Sequence, residues 1–156
     1  MAAKSKAAII AAARSAIGTA RKGSLANMEP IEVAKPIVAA AVERSGLDAT
    51  DFEDLILAES LQGGGDSARY IAVDLGYDSI PGAAVNRQCA SSLAAIAFGA
   101  GQIASGMSRH LLAGGQRRAV LGGWRPLGGH AGAAQRHLED VVGGDVDQAE
   151  AVRRAR

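Results

Sequence analysis

The stretch VNRQCASSLAAIAFGAGQIASG, residues 85–106, holds the only cysteine of the chain, and no charged residue occurs from Ala90 to Ser108. Leu93, Ile96, Ala97, Ala100, Ile103 and Ala104 recur at helical spacing, and the positions between them are small or uncharged. The pattern predicts a helix that is apolar nearly all round and therefore buried nearly all round. Gly99 and Gly101 weaken such a helix by roughly 1 kcal/mol each against Ala, a cost tolerable only where a neighbour packs closely enough to need them. Ser91 or Ser92 is placed to cap the first turn, which sets Cys89 at or just before a helix N-terminus.

That position has two readings. The thiolate is the reactive form of cysteine, and a free thiol ionises near pH ~8.5. Unpaired N–H groups and the positive end of a helix dipole favour the anion, and the same N–H groups can hold an oxyanion when the sulfur attacks a carbonyl. Free cysteine is equally among the most often buried side chains, a small hydrophobe with no chemistry to perform. Position alone leaves both open.

Working outward, the elements alternate. AAIIAAA, residues 7–13, is short and apolar throughout, which predicts a strand buried on both faces. RSAIGTARKGSLANM reads as loop. From Pro30 the period changes: Ile31, Ala34, Ile37, Val38, Ala41 and Val42 fall on one helical stripe, Gly46 stands where a C-cap belongs, and Pro36 is expected to kink the helix or delay its start. DLILAES predicts a second buried strand. DSARYIAVDLGY predicts a helix capped by Asp66 or Ser67 and closed by Gly76, GAAVN a short strand, and HLLAGG a last strand after the uncharged helix. Strands and helices in alternation predict an α/β layered fold with a mixed, largely parallel sheet and helices on both faces.

Composition narrows the function. With 156 residues the chain fits one domain, and 17 Lys plus Arg against 16 Asp plus Glu leave no field that would draw a nucleic acid or an anionic membrane. One cysteine forms no internal disulfide, and Arg14 stops the N-terminal apolar run before it reaches the length of a signal peptide, so a cytoplasmic protein is expected, with no membrane partner and no metal.

Four segments resemble, in order, the N-terminal domain of the thiolases. AARSAIGTARKGSL is similar to the opening AR-x-x-IG segment; DLILAESLQGGGDSAR resembles the second strand with its glycine turn and Ala-Arg; VNRQCASSLAAI resembles the nucleophile signature; IASGMSRHLLAGG resembles the stretch ending in AGG. The resemblance implies a thiolase-like layered fold, N-terminal half only, and an acyl-CoA C-acyltransferase of fatty acid metabolism. Cys89 would attack the thioester carbonyl of an acyl-CoA, or the keto group of a 3-ketoacyl-CoA, and carry the acyl group as a thioester, with its backbone N–H in the oxyanion hole. Coenzyme A enters as part of the substrate, so no separate cofactor is expected, and the family implies a homo-oligomer. Asn86, Gln88 and Ser91 are expected to shape the turn, and Arg14 and Arg69 to make structural ion pairs. The β-ketoacyl synthases share this fold and would exchange coenzyme A for a carrier protein; Asn86 and the ARSAIG opening favour the thiolase side.

The resemblance ends at Gly115. Thiolases are more than twice this length, and their second half supplies the His that activates the nucleophile, an Asn of the oxyanion hole and a second Cys, none of which matches here. Residues 1–115 contain eleven Ser and ten Ile, whereas residues 116–156 contain neither, and all seven basic side chains there are Arg. Residues 1–115 are therefore expected to be an incomplete thiolase N-terminal domain, and 116–156 a non-family tail of the kind a shifted reading frame yields, with short helices over 131–142 and 146–154. His130 and His137 read as solvated, and Trp124 among the arginines as no RNA contact, because five acidic residues share the tail. On this reading turnover is impaired, and a non-catalytic interaction module or an inactive fragment is the alternative.

Overall fold

A computed structural model describes residues 6–19, 22–60 and 65–116. The predicted helices over 131–142 and 146–154, His130, His137 and Trp124 lie outside the described residues. The order is α1 (Pro30–Ser45), β1 (Asp54–Glu59), α2 (Ser67–Asp74), β2 (Ala83–Val85), α3 (Ser91–Ser105) and β3 (Leu111–Gln116). The three strands form one parallel sheet in the order β2-β1-β3.

β1 is the centre, and its residues alternate between two layers. Leu55 and Leu57, both fully buried, join Val38, Ala41, Ile71 and Ile80 beneath α1 and α2, while Ile56 points the other way to Ala95 and Ala113 beneath α3. A strand apolar on successive positions is what two covered faces require. The predicted α/β architecture with helices on both faces is therefore the fold observed.

α1 begins with Pro30 in its first turn and ends at Gly46, whose φ of 70° is the left-handed conformation of a C-cap. It is continuous through Pro36, which therefore does not delay its start. Pro36 lies on the exposed side, so the N–H it lacks leaves only the carbonyl of Glu32, itself exposed, to water. Arg44 in the last turn donates to the carbonyl of Ala12 at 2.8 Å, tying the N-terminal segment to this helix. α2 is capped as predicted: Asp66 Oδ1 accepts from the Arg69 N–H at 3.2 Å.

Residues 7–13 do not form the expected buried strand. Residues 7–9 are exposed, and only Ala13 makes an isolated bridge. Between this segment and the free edge of β3 lies an apolar groove of about 250 Å³, lined by Ile9, Ile10, Ile96, Ile103 and Leu111 among others. Ala13 alone is bridged, so no ladder runs along the segment. Nor is α3 buried all round. Ala94, Ala95 and Gly99 are buried, but Leu93 is 70% and Phe98 49% exposed on the opposite side. Gly99 meets the expectation of close packing, since a Cβ there would lie 2.5 Å from Leu111 Cδ1, whereas Gly101 has open space around it.

Polar clasps align the strand starts. Glu53 accepts from the Arg109 backbone N–H at 2.7 Å and from Arg109 Nε at 3.0 Å. The Arg109 hydrogen bonds hold the Glu53 carboxyl below its ordinary value. This clasp is intact above the ordinary carboxylate range and is lost as pH falls through the lowered value. Gln102 of α3 donates to Asp54 at 3.1 Å and accepts from Ser108 at 3.0 Å.

Leu57→Ala is expected to cost about 2–5 kcal/mol of unfolding free energy, because its site cannot collapse between packed layers. Leu93→Ala is expected to stay within about 0.5 kcal/mol. Urea denaturation of the two variants measures the contrast.

Candidate active site

β2 ends at Val85, and the chain turns at once through a single 3-10 turn, Gln88–Ala90, into α3. Cys89 therefore stands beyond the carboxyl end of a parallel strand, the edge at which open α/β sheets place their sites. Its thiol is exposed, so the reading of Cys89 as a buried hydrophobe is excluded.

The backbone around it is unusual. Gln88 has φ 53°, the left-handed region, although it is neither glycine nor asparagine. Asn86 Oδ1 accepts from the Gln88 N–H at 3.0 Å. The Ala90 N–H donates to the Arg87 carbonyl at 3.1 Å and the Ser91 N–H to the Gln88 carbonyl. Among the described residues the Cys89 N–H donates to no acceptor. A free thiol beside an unspent amide is the arrangement that attack on a carbonyl requires.

Neither serine caps α3 as expected. The N-cap is Ala90, without a side-chain hydrogen bond. Ser91 reaches backwards instead, accepting from the Arg87 N–H at 2.7 Å and donating to the Gln88 carbonyl at 2.7 Å. Ser92 packs against Gly115: a Cβ on Gly115 would collide with Ser92 Oγ and lie 2.8 Å from Ala58 Cβ. The glycine that ends the AGG sequence thus lets the first turn of α3 rest directly on β3, which fixes the height of Cys89 above the sheet. Among the described residues Arg69 makes no ion pair, against expectation. Its guanidinium donates to the carbonyls of Asp78 and Ile80 at 3.1 and 2.6 Å, pinning the loop that leads into β2.

The same sheet edge holds a buried polar cluster that the sequence did not announce. Glu59 and Gln116 are register partners at the ends of β1 and β3, both under 10% exposed. Glu59 accepts from the Ser67 N–H, and Gln116 Nε2 donates to Ser67 Oγ at 2.5 Å. The only available signal was a glutamate closing the otherwise apolar run LILAE. No group of three or more His, Cys, Asp or Glu suited to a metal occurs among the described residues. None of the helices among the described residues is long and apolar enough to cross a membrane.

A family model, thiolase N-terminal domain, matches residues 7–118. The chain belongs to the thiolase family. Its relatives include an acetyl-CoA acetyltransferase of Pseudomonas aeruginosa, 32% identical over 136 residues, which cover 85% of this chain and 34% of that protein. The acetyl-CoA C-acetyltransferase VraB of Staphylococcus aureus is 31% identical over 121 residues, 77% of this chain and 32% of the relative. The crystal structure of the Bacillus anthracis acetyl-CoA acetyltransferase superposes with a TM-score of 0.71 at 30% identity, covering 88% of this chain and 36% of that one. The thiolase chain here thus spans about a third of the length of the relatives it matches.

Gly115→Ala is expected to destabilise this thiolase domain by about 1–3 kcal/mol through overpacking against Ser92 and Ala58. Adding Ser92→Ala should recover part of that loss. A double-mutant cycle by denaturant unfolding should show the two changes coupled rather than additive.

Proposed function

We propose that this chain accepts an acyl group from an acyl-CoA onto Cys89, the first half-reaction of a thiolase. Cys89 attacks the thioester carbonyl as its thiolate, having given its proton to solvent; a tetrahedral oxyanion forms, and its collapse breaks the bond to the coenzyme A sulfur, which leaves as a thiolate and takes up a proton from water, with the acyl group left as a thioester on Cys89. The Cys89 N–H is the donor that meets the oxyanion. The observation that carries this reading is the exposed thiol beside an amide with no other acceptor, at the carboxyl edge of the sheet of a thiolase-family domain. Acetyl-CoA is the donor of choice because the relatives are named for it. Those names favour coenzyme A over the carrier protein that a β-ketoacyl synthase would use.

Forming or breaking a carbon–carbon bond asks for a second acid/base group, and Cys89 is the only cysteine of the chain. Acylation of Cys89 by a thioester itself neither makes nor breaks a carbon–carbon bond. A thiol kept free for this purpose suits a reducing compartment.

A second reading rests on the exposed side of α3. Leu93 and Phe98 stand out on a helix that is otherwise small and uncharged, a surface more typical of an interface than of bulk solvent. On that reading the domain works by association, as the homo-oligomers of the family do.

Incubating the purified chain with acetyl-CoA should add one acetyl group, located on Cys89 by peptide mass spectrometry and lost in Cys89→Ser. A chain that stays unmodified under these conditions, with its fold intact by circular dichroism, would favour the second reading. A defined dimer in size-exclusion chromatography would then support it.

A further inference from the structure

Gln88 raises a question that its own side chain does not answer. The side chain is exposed, so no burial compensates for a left-handed backbone, and such a conformation persists only where its surroundings over-determine it. Three hydrogen bonds do so. Asn86 Oδ1 takes the N–H on one side of Gln88. On the other side Ser91 Oγ donates to the Gln88 carbonyl and at the same time accepts from the Arg87 N–H. One hydroxyl supplies both a donor and an acceptor, which among small side chains only Ser and Thr can do. Ser91 is 2% exposed, so water does not compete for either bond.

We infer that Ser91 is a positioning residue for Cys89: its hydroxyl locks Gln88 in the left-handed conformation that presents the thiol and keeps the Cys89 amide free for an oxyanion. The inference rests on the acylation proposed above. With the lock in place the chain reverses at Gln88, so that Ala90 and Ser91 spend their amides on Arg87 and Gln88 while Cys89 does not. Without it Gln88 relaxes to an ordinary backbone conformation, the turn joins the helix, and the Cys89 N–H is drawn into the helical ladder. The sulfur then remains available to any small electrophile but loses the donor aligned with a carbonyl oxygen.

That split defines the test. In the 156-residue chain, acetyl transfer from acetyl-CoA to Cys89 and alkylation of Cys89 by iodoacetamide are measured side by side. Ser91→Ala is expected to slow acetyl transfer by about tenfold to a hundredfold, the loss that accompanies displacement of a reacting group by about an ångström, with little change in alkylation. Ser91→Thr, which keeps the hydroxyl, is expected to restore most of the rate. Ser45→Ala is the matched control: Ser45 is also buried and also bridges two backbone groups, Val42 O and Leu47 N, but at the far end of α1. It should leave acetyl transfer unchanged. Should Ser91→Ala fail to fold, Gln88 decides the matter, since its side chain is exposed. Gln88→Val, β-branched and averse to positive φ, should slow acetyl transfer as Ser91→Ala would, and Gln88→Gly should not. Equal acetyl transfer in Ser91→Ala and the parent, or in Gln88→Val and Gln88→Gly, overturns the role of Ser91 alone. A parent chain that takes no acetyl group overturns the proposed acylation and this assignment with it.

Discussion

β1 is the strand on which everything else is hung. Among the described residues it is the only strand with a ladder on both sides and a helical layer on both faces, so Leu55, Ile56, Leu57 and Ala58 are all within 2% of full burial. A parallel strand in that position cannot alternate polar and apolar residues, because it has no solvent side. Its register then sets the other two: Ala58 opposite Val85 places the end of β2, and Glu59 opposite Gln116 places the end of β3. The three carboxyl ends meet at one edge, and the cysteine turn and the Glu59–Ser67–Gln116 cluster are both built there.

The site is a consequence of how little room that edge leaves. Gly115 allows α3 to begin almost on top of β3, and the chain has only five residues, 86–90, between the end of β2 and the start of α3. A helix start reached that abruptly needs one reversed residue, and Gln88 is it. The polar groups around the turn, Asn86 and Ser91, are occupied in holding the reversal, which leaves the Cys89 amide as the unspent donor. The acylation proposed for Cys89 draws on both the order of motifs and this hydrogen-bond accounting.

Much of this was legible in the residues. The helical stripe from Ile31 to Val42, the caps at Asp66 and Gly46, and the three paired strands follow from period and punctuation, because amphipathic spacing and cap chemistry are local. The failures are equally specific. Residues 7–13 have strand composition but are bridged only at Ala13, and an apolar run carries no information about what will lie beside it. Arg69 read as half of an ion pair and instead holds two carbonyls, since a guanidinium has donors for either and sequence does not show which acceptor arrives.

By itself the sequence determined the α/β class and the family, because each depends on residue types in order along the chain. Only the tertiary structure decided that the thiol is exposed, that Ser91 faces backwards into the turn rather than capping the helix, that Gly99 is a contact and Gly101 is not, and that one side of α3 lies open. Those outcomes hang on separations of a few ångströms between segments far apart in the chain, and such distances are set by packing of the layers rather than by any local preference.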